Sequence, residues 1–292
     1  MREEGGRRLN VSGVLRILGV SRSGYYYFKA TESTKTKREQ RKQELMELIR
    51  QIHAESKSIY GAPKITQELR KQGWTVSERT VGNYMREMSL RAHYAHPYTV
   101  TTDSGDFDST LQNLLNDEFS PDQPNAVWCS DITYISTEDG FCYLTSIMDL
   151  YSRRILAWQL SDTLQAKWIV NCIHEARAKR RGMDPLILHA DRGSQYVSQV
   201  YLEALDTIAP SYSQKASPWQ NACIESFHAL IKREWIYRFD IRDYEHAYKL
   251  VFEYIEAFYN TIRSHSHCGF LSPMEFEKQY YEKLELAAEL AA

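Results

Sequence analysis

The sequence predicts an α/β protein, a mixed sheet flanked by helices and preceded by a small all-helical helix-turn-helix module. Three observations predict it. Up to about residue 94, apolar side chains recur at helical spacing between capping residues. From residue 126 three runs rich in β-branched and aromatic residues follow one another across short turns. Beyond them an apolar strand and helical segments alternate, which places helices on both faces of the sheet. At 292 residues the chain has room for one medium domain and a smaller module, and 43% hydrophobic with 25% charged residues suits a protein with a buried core.

Residues 1–36 read as an N-terminal helical segment. Within it, NVSGVLRILGVSRSGYYYF (10–28) sets Val14, Leu15, Leu18 and Val20 on one side and offers Ser21 as the cap of a second short helix. The polar stretch TESTKTKREQRKQ (31–43) reads as a flexible linker running into a helix with Leu45, Leu48, Ile49 and Ile52 inward. Residues 37–94 form the predicted helix-turn-helix DNA-binding domain. Ile65 and Leu69 mark one short helix, Gly73 ends it, and Ser77 caps another with Val81, Tyr84, Met85 and Met88 inward. The second helix would enter the major groove with Arg79, Asn83 and Arg86 facing outward. A plain three-helix bundle with a solvated basic side fits the same pattern.

Residues 95–125, with prolines, Gly and Asp and little periodicity, read as a linker. Residues 126–280 make up the sheet domain with its C-terminal helix, and 281–292 a tail. Strands are expected at 126–136, 141–152 and 153–162 as an antiparallel meander. A helix at about 164–180, the strand LILHAD (186–191), a helix near 198–206, a short strand around 211–213 and a long helix from Pro218 follow. Residues 243–263 supply a last amphipathic helix.

Charge is unevenly spread. Residues 1–100 carry 19 Lys and Arg against 10 Asp and Glu, whereas residues 101–292 carry 17 against 28. A basic module is where phosphate contacts belong, and an acidic domain approaches DNA more readily with divalent cations bound. No run reaches the roughly 18 apolar residues of a membrane helix. The opening MREEGGRRLN lacks a signal peptide's apolar stretch, so the expected location is cytoplasmic. Five scattered cysteines without a Cys-x-x-Cys pair speak against a disulfide framework or a zinc knuckle, and His265, His267 and Cys268 have no second ligand pair to complete a zinc site.

Three carboxylates stand where such a sheet could unite them. Asp131 interrupts an apolar strand, Asp191 closes LILHAD at its carboxyl edge, and Glu225 sits early in a helix. A buried strand aspartate needs a partner or a cation, and crevices in open α/β sheets lie beyond the carboxyl ends of strands. Carboxylates suit magnesium, two ions of which can clamp the attacking and leaving oxygens of a phosphoryl displacement. A strand-end aspartate is also an ordinary turn former or helix cap, and spacing alone leaves both readings open.

The strings WCSDITYI (128–135), HADRGSQY (189–196) and NACIESFHALIKREW (221–235) resemble, in that order, the three motifs of the retroviral-integrase-type core of insertion-sequence transposases. The resemblance is to the IS-three family, second reading frame product. Residues 60–90 resemble that family's helix-turn-helix domain, and YNTIRSHSHCGFLSP (259–273) its closing motif. The resemblance implies a ribonuclease-H-like fold in 126–280. It implies an Asp/Asp/Glu metal triad of Asp131, Asp191 and Glu225 holding two Mg2+ ions, for which Mn2+ can substitute. It further implies DNA contacts from Arg192, Gln195, Asn221 and Lys232, the last two helical turns after Glu225 on the same face. Asp149, in IMDLYSRR, is expected to stabilise a turn.

The implied activity is cleavage and strand transfer of DNA at the terminal repeats of an insertion sequence. Double-stranded DNA, further copies of the chain and an upstream-frame product of the same element are the expected partners. Two other classes remain open: a non-catalytic DNA-binding remnant or regulator, and a ribonuclease-H-like nuclease that cuts without joining. Two departures stand out. Asp191 and Glu225 are separated by 33 residues where the family usually has about 35, and Ala216 and Gln220 replace a typical glycine and aspartate.

Overall fold

The computed structural model describes residues 3–4, 7–8, 10–93, 111–116, 118–180, 185–214 and 217–291. The chain divides into two compact units, Met1–Ala92 and His93–Ala292.

In the first unit, the short strands β1 (Glu3–Glu4) and β2 (Arg7–Arg8) pair antiparallel. Asn10 caps α1 (Val11–Ile17) by accepting from the Gly13 N–H. Ser21 caps α2 as expected, but α2 runs unbroken over Arg22–Glu55, where the sequence reading places a short helix, a flexible linker and a second helix. Residues 31–43 contain no Pro or Gly to stop a helix and are dominated by Lys, Arg, Glu, Gln and Thr. Most of these are good helix formers, and all-round polarity marks a solvated helix as readily as a linker.

α3 (Ala62–Lys71) carries Pro63 in its first turn, where the fixed φ fits, and is followed by Gly73 at φ +86, a conformation glycine adopts without strain. The Ser77 hydroxyl accepts from the Thr80 N–H and starts α4 (Glu78–Glu87). Ile49 and Ile52 of α2, Ile65 and Leu69 of α3, and Val81 and Met85 of α4 are buried. They form the three-helix core that the helix-turn-helix pattern requires.

The second unit is built on five strands, β3 (Val127–Thr137), β4 (Gly140–Asp149), β5 (Ile155–Ser161), β6 (Ile187–Ala190) and β7 (Ala209–Tyr212), in the spatial order β5-β4-β3-β6-β7. The first three form the antiparallel meander, and β6 and β7 add in parallel on the other side of β3. This is the ribonuclease-H-like arrangement. Side chains alternate along β3. Trp128 lies with Ile147, Leu188 and Ala190 in a core covered by α5 (Ala166–Lys179) and α6 (Gln199–Leu205). Asp131 falls on the opposite face, opposite Ser146 in the ladder, and α7 (Ala222–Glu234) packs against β3.

Of the predicted linker, residues 94–110 lie outside the described residues. Residues 111–116 run along the sheet edge: the Tyr212 N–H donates to the Gln112 carbonyl and the Leu114 N–H to the Ser211 hydroxyl. Apolar Leu111 and Leu115, embedded in a polar stretch, carry this attachment.

The last amphipathic helix is shorter than its pattern. α8 (Tyr244–Tyr254) passes into a π turn (Ile255–Tyr259), after which the Asn260 side chain both accepts from Ile155 N–H and donates to Ile155 C=O, like an added strand. α9 (Pro273–Ala291) absorbs the predicted tail, because KLELAAELA is made of strong helix formers. Among the described residues no helix is long and apolar enough to cross a membrane.

Candidate active site

Parallel pairing of β3 with β6 matches Ser130 to Ala190, so the residues that follow, Asp131 and Asp191, lie side by side where the two strands diverge. α7 brings Glu225 to the same place from its first turn, where an acidic side chain also suits the helix N-terminus.

Each carboxylate has its own local setting. Asp131 Oδ1 accepts from the Ile132 N–H at 2.8 Å, and its Oδ2 lies 3.2 Å from Nδ1 of His228. Asp191 Oδ1 accepts from the Gly193 N–H at 2.8 Å. The loop beyond it is pinned through Tyr196. Its N–H donates to the Gly193 carbonyl, its hydroxyl pairs with Ser130 Oγ at 2.9 Å, and its own carbonyl accepts from the Tyr212 hydroxyl. A side chain at position 193 would place its Cβ 3.0 Å from Asp191 Oδ1, so glycine allows the close approach.

The electrostatics tie the three together. Burial and then the charge of Asp131 push Asp191 up to about 6, with the Gly193 N–H opposing. Glu225 is exposed along much of its side chain, yet partial desolvation of its carboxyl, then Asp131 and then Asp191, push it up to about 7. Among the described residues no three His, Cys, Asp or Glu side chains are drawn into a closed ligand set. Asp131 and Asp191 each accept from hydrogen-bond donors of the protein. Oxygen-only donors close enough for the Asp131 charge to raise both Asp191 and Glu225 are nonetheless the chemistry that suits a hard divalent cation, which neutralises such repulsion.

The residues expected around the triad have varied placements. Lys232 is half-buried with Nζ 4.3 Å from the Tyr134 ring centre; burial lowers its pKa and the Asp131 charge opposes that. Arg192 does not reach out as a free cation. Its guanidinium donates to the carbonyls of Ser213 and Leu111 and clamps the Asp191 loop to the sheet edge. Gln195 is half-buried in the same loop. Asn221 is buried just before α7. On α4 of the first unit, Arg79, Asn83 and Arg86 are exposed, with Arg86 also bonded to the Asn83 side chain.

Asp149 is fully buried and accepts from the Asn125 and Tyr151 N–H groups, which makes it the turn-stabilising residue expected. Ala216 lies outside the described residues. The Gln220 side chain closes the loop before α7 by accepting from the Gln214 N–H. His228 was not singled out by sequence reasoning. Its signal was present, since it follows Glu225 by three residues and so shares a helix side with it.

A ribonuclease-H-like sheet with two aspartates at diverging parallel strands and a glutamate early in α7 defines an integrase-core protein. Two models described as Integrase core domain match residues 121–218 and 206–273, and one described as HTH-like domain matches residues 40–98. The chain is 34% identical over 272 residues to Transposase InsF for insertion sequence IS3A of Escherichia coli (strain K12), covering 92% of this chain and 94% of that one. It is 33% identical over 271 residues to the insertion element IS600 uncharacterized 31 kDa protein of Shigella sonnei, covering 91% and 98%. The chain therefore belongs to the IS3 family of insertion-sequence transposases. Among solved structures, the simian T-cell lymphotropic virus intasome in complex with PP2A regulatory subunit B56 gamma aligns at 15% identity and TM-score 0.45, over 78% of this chain and 73% of that one. The HTLV-2 integrase catalytic core domain in complex with magnesium aligns at 15% identity and TM-score 0.42, over 53% and 97%.

Proposed function

We propose that this transposase is an Asp/Asp/Glu polynucleotidyl transferase that cleaves DNA strands at the terminal repeats of its insertion sequence and joins the resulting 3′ ends to target DNA. The observation that carries this reading is the β3–β6 pairing that sets Asp131 beside Asp191, with Glu225 on a helix packed against β3 and feeling the charge of both. Asp131, Asp191 and Glu225 would hold two divalent cations, Mg2+ or in its place Mn2+. Bound there, such a pair supplies activation of an attacking oxygen and charge neutralisation at the leaving oxygen.

The chain's own groups do the positioning. The Gly193 N–H holds one oxygen of Asp191, and the Arg192 clamp and the Tyr196 bonds keep that loop in place. Lys232 and Gln195 flank the triad, where a cation and an amide would meet the DNA backbone. Arg79, Asn83 and Arg86 of α4 are assigned to the terminal repeat, read from the major groove, within a basic unit that neutralises phosphates. Double-stranded DNA, further copies of the chain and an upstream-frame product are the proposed partners.

The test is strand transfer with oligonucleotides carrying candidate terminal repeats and a pre-cut 3′-hydroxyl end, in Mg2+. Glu225→Gln is expected to abolish cleavage and joining while leaving DNA binding intact. A Glu225→Gln variant that still joins strands contradicts the assignment. DNA binding without any Mg2+-dependent nicking by the wild type returns the regulator reading, and nicking without joining returns the nuclease reading.

A further inference from the structure

His228 is buried on α7, one turn beyond Glu225. Its imidazole spans two strands. Nδ1 lies 3.2 Å from Asp131 Oδ2 on β3, and Nε2 lies 3.3 Å from Ser146 Oγ on β4. Asp131 and Ser146 are directly opposed in the β3–β4 ladder, so the ring straddles one cross-strand pair. An ionised carboxylate only accepts, which places a hydrogen on Nδ1 and leaves the Ser146 hydroxyl as the natural donor to Nε2. With both nitrogens engaged by the protein, neither is available to a cation or a substrate proton. The neighbouring Phe227 ring, 5.5 Å away between centres, and the buried Ser146 restrict the imidazole further.

We infer that His228 is a positioning residue for Asp131: anchored from behind by Ser146, its Nδ1–H holds the Asp131 carboxylate in the orientation from which it serves a divalent cation. This rests on the proposed metal-holding role of the triad. Ligating carboxylates are themselves held by hydrogen bonds, and loss of such a partner typically weakens metal affinity about 10–100-fold. The bond also links two ligand-bearing elements directly, since the residue that orients Asp131 belongs to the helix that carries Glu225.

The experiment uses the full chain, with Mn2+ binding followed by calorimetry and strand transfer titrated against Mg2+. His228→Ala is expected to raise both the Mn2+ dissociation constant and the Mg2+ concentration for half-maximal rate by about 10–100-fold. In chelator it should still unfold cooperatively, at a lower temperature because of the cavity left behind, and its metal-free DNA binding should match the wild type. His228→Asn, whose amide nitrogen stands close to the place of Nδ1, should recover most of the affinity, and Ser146→Ala should show a loss smaller than His228→Ala. An unchanged metal response in His228→Ala, or no recovery in His228→Asn, overturns the inference. If His228→Ala does not fold, Ser146→Ala decides, and a wild-type metal response there overturns it. A wild-type chain that binds no divalent cation would remove the proposed function itself, whereas normal wild-type binding with an unaffected His228→Ala removes only this inference.

Discussion

Gly193 shows how closely the site is built at the scale of a single residue. Its N–H holds Asp191 at 2.8 Å, and the space that a Cβ would take is filled by the same carboxylate oxygen and, at 3.2 Å, by Gln195 Oε1. Nothing about its backbone demands glycine, because its φ is not positive. Gly193→Ala should therefore fold normally but shift the Asp191 carboxyl by a few tenths of an ångström. Strand transfer in Mg2+ is expected to fall about 10-fold or more, since small misplacements at a reacting centre have large effects on rate. The unfolding midpoint in chelator should move little. A Gly193→Ala variant with full activity would show that Asp191 is held by something other than this contact.

At the scale of elements, the position of α7 decides whether Glu225 meets the aspartates. Its far end is locked by Glu234, which receives Nε and Nη2 of Arg263 at 2.7 and 2.6 Å and the Tyr254 hydroxyl at 2.7 Å. Arg263 comes from the closing motif, and Asn260 of the same motif is stitched to Ile155 of β5. The closing motif thus braces α7 from behind. Removing one partner of a buried ion pair costs about 3–5 kcal/mol, because the other charge is left uncompensated. Arg263→Ala is expected to lower unfolding stability in urea by about that amount, and Arg263→Lys by less, since lysine keeps the charge but cannot make the two-pronged contact. An Arg263→Ala variant within 1 kcal/mol of the wild type (roughly the value of an exposed pair) would refute the brace.

For the whole molecule, the carboxylates assigned to the metal site are a source of instability. Asp191 and Glu225 rise from ordinary values of 3.8 and 4.5 to about 6 and about 7 in the folded chain. Between those limits the folded state binds more protons than the unfolded one, so stability falls as pH rises from about 4 toward 7. Without divalent cations, the unfolding temperature of the wild type should drop over this window relative to an Asp191→Asn, Glu225→Gln double variant. Mg2+ at neutral pH should raise the wild type alone, as any ligand of the folded state does. Equal pH profiles for the two proteins in chelator would mean that the carboxylates do not strain one another.

The sequence by itself determined the kind and order of nearly every element, because period-2 and period-3.6 patterns report which faces are buried. The caps Ser21 and Ser77 and the stop at Gly73 are likewise local chemistry. It also determined the family, through the strings around Asp131, Asp191 and Glu225. The tertiary structure alone decided matters that rest on contacts between distant residues. A polar stretch such as 31–43 has the same composition as linker or solvated helix, and only its continuity in α2 distinguishes them. Arg192, read as a DNA contact, holds two carbonyls whose proximity depends on how residues 111–116 follow β7. His228 gains its partners only when α7 crosses the Asp131–Ser146 pair. Periodicity reports whether a side chain is inside, but hydrogen-bond partners as far apart in the chain as His228 and Ser146 are set by packing, which no local pattern encodes.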